Sequence, residues 1–247
     1  MSSTAGTPGS TRWDKFLYWA NRFFQEPEFD RDEREYKETV FRRVEAAKEA
    51  FAANDSQWID LLNLAVTTKP NNLTTWRATQ PFISWCREQP DNAALAFRFL
   101  WNEDLAVADR FDNFVEVVRA TGPRILIAET SFFHSVMNPA DFPVYRPVAV
   151  ERAMVLTGYP DPKEQGIKAD EMGRRYDHYL WFLDLVLKRG RDAGIQFRDR
   201  LDAQGASWTV TQWSPIDRWP EADQQAVLAY QGEARLRKDS WGKPGAG

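Results

Sequence analysis

Along most of the chain apolar residues recur every three or four positions, the spacing that gathers them on one face of an α-helix. Trp13, Phe16, Leu17, Ala20, Phe23 and Phe24 form a first stripe, closed by Pro27. Asp30 and Glu33 then read as a capping box for a long second helix with Tyr36, Val40, Val44, Ala47 and Phe51 on its apolar face. A third begins near Asp55 and carries Trp58, Ile59, Leu62 and Val66, and TTKPNNLT (Thr67 to Thr74) is a loop by its Pro-Asn-Asn content. Further helices are expected over Pro81–Glu88, Asp91–Trp101 and Asp104–Ala120. Gly122-Pro123 is a stop and restart, with Gly ending one helix and Pro opening the next, Arg124 to Met137. Pro147 starts a helix reaching Thr157, and Gly158 to Gly166 is a turn-rich break. Lys168–Arg189, Phe197–Val210 and Glu221–Lys238 complete the series, with Gly232 weakening the last. Only SWTVTQW hints at the alternation of a strand.

The pattern predicts an all-α protein of about ten helices in a globular multi-helix array. Residues 1–10, MSSTAGTPGS, read as a disordered lead-in, 11–213 as a helical module with a sub-boundary near 121, and 214–247 as a C-terminal helix and Gly/Pro linker. A hydrophobic fraction of 43%, with eleven tryptophans, is enough to build a core from 247 residues. The formal net charge of −4 argues against coating nucleic acid or anionic membrane by bulk charge, while leaving room for a local basic face. Cys86 is the only cysteine, which rules out an intrachain disulfide and a multi-cysteine zinc site. Without a signal peptide or a long apolar run, the expected location is the cytoplasm, with no membrane partner.

Familiar catalytic signatures are missing. WGKPGAG holds the letters of a phosphate-binding loop in the wrong order, and Glu35-Tyr36-Lys37 matches only the end of a nuclease motif within a helical charge run. His134 and His178 form no HExxH pair, and there is no GxSxG elbow. Cys86 belongs to an amphipathic run and reads as core. No catalytic or metal-binding residue and no cofactor is therefore assigned.

One segment breaks the helical rhythm: HSVMNPADFPVYRP, His134 to Pro147, with three prolines, Phe142, Tyr145 and Arg146. The prolines restrict the backbone and fix where those side chains point. In one reading Arg146 clamps a phosphate or carboxylate while Tyr145 stacks on a base. In the other, which is favoured, Phe142 and Tyr145 plug the core and Arg146 pairs with Glu151 or Asp141. His134, beside Phe132 and Phe133, reads as a core histidine. Arg174, Arg175, Lys188, Arg189 and Arg191 make the ends of the helix RRYDHYLWFLDLVLKRGR basic, suited to steering a phosphate backbone or to the helix dipole. In FRDRLDAQGASW an Asp-Arg network tying helices together is favoured over a hydrogen-bond reader built from Arg200 and Gln204.

WANRFFQEPEFDRDEREYK, PNNLTTWR, NPADFPVYRPVAVERAMVLTGYP and FRDRLDAQGASW, in that order, resemble the N-terminal region of McrB-like AAA+ restriction ATPases and related prokaryotic defence proteins. The resemblance spans most of residues 13 to 213. It implies a target-recognition or assembly role beside an AAA+ ATPase module or nuclease subunit that does the chemistry. Walker A and B motifs and a nuclease signature are missing, so nucleotide hydrolysis is not assigned; the chain is expected to be either a fragment ending at the WGKPGAG linker or a stand-alone relative. A shorter stretch, ATGPRILIAETSFFHSVMNPADFPVYRPVAVERAMVLTGY, resembles helix-hairpin-helix base-excision glycosylases. There Gly122-Pro123-Arg124 matches the end of the phosphate-gripping hairpin, but Tyr145 stands where the catalytic aspartate would lie, so only a DNA-binding shape is implied. Together these resemblances lead to the expectation of a non-catalytic DNA-recognition or assembly module. Its candidate DNA contacts are Tyr145, Arg146, Arg124, Arg174, Arg175, Arg77 and Trp76. The alternatives are a scaffold docking an ATPase or nuclease partner, and a degenerate glycosylase-like DNA-binding protein.

Overall fold

A computed structural model describes residues 11–74 and 76–241, without the side chains of Trp76 and of residues 235–241. The expected lead-in, 1–10, and the end of the expected linker, 242–247, lie outside the described residues. Among the described residues there are eleven helices and no strand, in one all-α array.

Helix α1 (Arg12–Phe24) opens on a true capping box, in which Thr11 Oγ1 accepts from the Asp14 amide and Asp14 accepts from the Thr11 amide. Helix α2 runs from Glu28 to Ala52 as Glu28–Asp30, a π-helical turn Arg31–Glu35, and Tyr36–Ala52. The capping box expected at Asp30 does not form, because the chain is already helical from Glu28 and Asp30 lies within the helix. Helices α3 (Trp58–Thr67), α4 (Trp76–Glu88), α5 (Pro90–Leu100) and α6 (Val107–Thr121) then pack on one another in succession. Pro81 lies inside α4 rather than opening it.

After α6 the chain runs extended from Pro123 to Leu126, and α7 (Ile127–His134) begins later than the expected Arg124. Glu129 sets that start, its carboxylate accepting from the Leu126 amide at 3.2 Å. A 3-10 turn (Ser135–Met137) leads into the proline-rich corner, and α8 (Pro147–Thr157) starts at the expected Pro147 and ends on Gly158 at φ 74°. Helices α9 (Met172–Asp192), α10 (Arg200–Gln212) and α11 (Glu221–Trp241) complete the array. SWTVTQW is no strand: its first six residues end α10 and Trp213 is the extended residue that caps it. The Thr209 and Thr211 hydroxyls there donate back to the Ala206 and Ser207 carbonyls, at 3.1 and 2.7 Å, which suits buried polar residues to a helix.

Helix α10 is the hub, touching α1, α8, α9, α11 and the π turn of α2. Its small residues permit this: a Cβ at Gly205 would sit 3.0 Å from the Phe29 ring and 3.3 Å from Glu33 Cβ. At the α6–α9 crossing a Cβ on Gly173 would lie 2.2 Å from the Ala108 carbonyl oxygen. One hydrophobic core runs from Phe16 to Ala234; it passes across position 121 and takes in Trp219, Val227 and Tyr230 from beyond residue 213.

Candidate anion-binding cleft

The proline-rich corner is held from three sides. Asn138 closes its first turn, donating to Asp141 at 2.7 Å and accepting from the Ala140 amide at 3.1 Å. The carbonyls of Pro143 and Val144 accept from the hydroxyls of Tyr176 and Tyr179 on α9, at 2.9 and 3.2 Å. The Tyr145 amide donates to Ser131 Oγ at 2.9 Å, and Arg200 donates to the Asp141 carbonyl at 3.0 Å.

Tyr145 therefore points inward and is 0% exposed, packed edge-on against Tyr179. Tyr145 is thus the core plug that was the favoured reading, and it cannot stack on a base, because no face of the ring reaches the surface. Burial raises its phenol, and the nearby Arg175 charge holds it down in part. Arg146 forms no ion pair with Glu151 or Asp141: its guanidinium carbon sits over the ring of Trp208 on α10, 3.8 Å from the centroid. Its charge also reaches Tyr36, where burial and Glu33 raise the phenol and Arg146 opposes them.

Beneath Arg146 the π turn meets α10 in a buried polar network. Lys37, 1% exposed, donates to Glu33 at 2.9 Å and to Gln204 at 2.5 Å, while Glu33 also accepts from Trp213 Nε1 at 3.1 Å. Burial pulls the Lys37 ammonium below its ordinary range, against the pull of Glu33. Beside it Asp202, 1% exposed, accepts from Arg34 at 3.1 Å and from Arg198 at 2.6 Å. Arg200 is spent on Asp184 at 2.7 Å. The Asp-Arg pairs thus join α2, α9 and α10, and Gln204 is buried beside them as an acceptor for Lys37.

His134 is fully buried among Phe111, Phe142 and Tyr176. Burial, then the nearby Arg110 charge, pushes its imidazole down to about 3, so it is neutral at ordinary pH. Burial raises the Cys86 thiol, leaving it a poor nucleophile.

The remaining basic candidates separate by location. Arg124 is exposed and Arg175 half-buried, and both line a cavity of about 600 Å³ together with Arg119, Ile125, Leu126, Pro147, Ala169 and Asp170. Arg175 and Ala169 also line an adjoining cavity of about 750 Å³, bounded by Glu151, Arg152 and Val155 of α8 and by Asp161, Pro162, Lys163, Ile167 and Lys168 of the connection to α9. Arg174 is exposed near this cleft and pairs with Glu171 at 2.8 Å. Arg77 belongs to α4, among elements that do not line the cleft, and the Trp76 side chain lies outside the described residues. Arg119, Arg152, Lys163 and Lys168 also line the cleft and were not among the sequence candidates; they come from α6, α8 and the connection before α9, three separate segments with no shared motif.

No protein-family model, curated protein or solved structure significantly matches this chain. No helix among the described residues is long and apolar enough to cross a membrane.

Proposed function

We propose that the chain is a non-catalytic DNA-recognition module whose contact surface is the cleft around Arg175, of the kind a McrB-like restriction system would couple to a separate AAA+ ATPase or nuclease subunit. The observation that carries this reading is a reversal of charge. On a chain of net charge −4, the two adjoining cavities are lined by Arg119, Arg124, Arg152, Lys163, Lys168 and Arg175 against Glu151, Asp161 and Asp170. A concave surface on which cations outnumber anions concentrates a positive field and attracts a phosphate backbone. On one flank a groove lined by Asp112, Glu116, Asp170 and Glu171 around Arg119 sets an acidic limit to the footprint. Fluorescence anisotropy with labelled duplexes, methylated and unmethylated, and with single strands tests the reading. Arg124→Ala and Lys168→Ala should each weaken binding. Absence of binding to every one of these DNAs at about 50 mM salt, where phosphate contacts are strong, overturns it.

A docking role is favoured by a different observation. Trp181 on α9 is 63% exposed, an unusual setting for so large an apolar ring. Partner binding through such a surface would be insensitive to salt, which separates it from DNA binding.

A further inference from the structure

The larger of the two cavities has features that a phosphate backbone does not require. One wall is apolar, built from Val155, Pro162 and Ile167, and the last two are buried. The connection forming that wall is fixed by its own hydrogen bonds. Asp161 and Glu164 each accept from the other's amide, at 2.9 and 3.0 Å, and the Ile167 amide donates to the Pro162 carbonyl at 2.8 Å. The wall is therefore formed in advance, as ligand pockets usually are.

The same bonds govern the charges. Asp161 and Glu164 are engaged by backbone amides, and Glu171 takes the Lys168 amide and the Arg174 guanidinium. Lys163, Lys168 and Arg175 form no ion pair among the described residues. Deeper in, Arg175 Nε and the Tyr145 hydroxyl are shut off from solvent and neither makes a well-formed hydrogen bond among the described residues, although the two side chains lie close enough for Arg175 to hold the phenol down. Enclosed donors of this kind cost free energy unless a partner arrives.

We propose that this cavity binds a small amphiphilic anion, its phosphate or carboxylate head held by Arg175 with Lys163 and Lys168 and its apolar body laid against Val155, Pro162 and Ile167. An inorganic anion would leave the apolar wall wet. A neutral apolar molecule would desolvate the cations without pairing them, which is costly. Only a ligand with both parts satisfies both surfaces, and about 750 Å³ lies within the range of small-molecule pockets. The inference does not rest on DNA binding, since the two are measured separately and either can fail alone.

Anilinonaphthalenesulfonate, itself an amphiphilic anion with an environment-sensitive fluorescence, serves as the reporter. It should bind the whole chain with single-site stoichiometry. Phenyl phosphate or benzoate should displace it at concentrations about tenfold or more below those needed with inorganic phosphate or benzyl alcohol, and comparing the first two identifies the preferred head group. Arg175→Met, which keeps the stem and removes the charge, should weaken reporter binding about tenfold or more. Ala169→Trp, which fills the mouth from an exposed position, should do the same, and it decides the matter if Arg175→Met does not fold. Equal displacement by benzyl alcohol and phenyl phosphate overturns the proposal, as does unchanged reporter affinity in a folded Ala169→Trp protein.

Discussion

Arg146 shows how a side chain can take its partner from far outside its local sequence. Its neighbours in sequence fix the backbone, but its guanidinium finds the indole of Trp208, sixty-two positions later, rather than an acid nearby. Such a stack is worth about 0.5–2 kcal/mol depending on solvent exposure. Arg146→Met, which keeps the aliphatic stem, should lower unfolding stability by about that amount and leave DNA affinity at its parent value. Denaturant unfolding and DNA anisotropy on the same preparation check this. Unchanged stability with lost DNA binding would move Arg146 to the interface. His134 gives a prediction in pH. Unfolded, it takes up a proton near 6.5; folded, it does so only near 3. Between those values the unfolded chain holds more protons, so stability from this group is intact above pH 6.5 and is lost as pH falls toward 3. The loss approaches about 1.4 kcal/mol per pH unit within that window. His134→Leu should flatten the acid limb of stability against pH relative to the parent, read by urea unfolding from pH 7 to 4. An unchanged slope would mean that His134 is not the group responsible.

The π turn of α2 and the hub helix α10 depend on each other. The turn brings Glu33 and Lys37 to the side of α2 that faces α10, and Gly205 lets the two backbones approach closely enough for Gln204 and Trp213 to complete the network. A buried pair of this kind is costly to halve and cheap to replace whole. Lys37→Met should destabilise by about 3–5 kcal/mol, because it leaves the Glu33 carboxylate enclosed with Trp213 as its remaining donor. Glu33→Gln combined with Lys37→Met should regain a large part of that loss; a double variant as unstable as the sum of the two singles would show the groups are uncoupled. The same elements show what was legible in the sequence. The helices with one apolar stripe and a proline or glycine at an end were located well, α8 to both of its termini. α10 was expected over Phe197–Val210 and runs Arg200–Gln212; only its end was ambiguous, since a helix buried on nearly every side by small and polar residues carries no stripe and its threonines imitate a strand. The π turn left no trace, because RDERE reads as an exposed charge run until α10 covers Glu33.

For the molecule as a whole, charge is segregated by topology rather than by sequence. Arg119 ends α6, Arg124 sits in the extended run after it, Lys163 and Lys168 lie in the connection before α9, and Arg175 lies in the first turn of α9. Arg124 and Arg175 are recognisable in the sequence because prolines, glycine or clustered arginines mark them. The others are not, because a folded cleft drawn from distant segments has no local signature. Tyr145 beside the prolines is the core plug that was the favoured reading, and only its second reading as a base-stacking ring fails, since its carbonyl neighbours are claimed by Tyr176 and Tyr179 and the ring is buried. If the cleft takes a phosphate backbone, its affinity must follow the counterions released. With three to five phosphates neutralised, log affinity should fall against log salt with a slope of about −3 to −4.5 for duplex DNA. Arg124→Ala should make that slope shallower by about 1 as well as weakening binding, whereas Arg77→Ala, on α4 away from the cleft, should leave the slope unchanged. Anisotropy titrations from low to moderate salt measure both. A slope that responds to Arg77 and not to Arg124 would place the nucleic-acid face on α4 and remove it from the cleft.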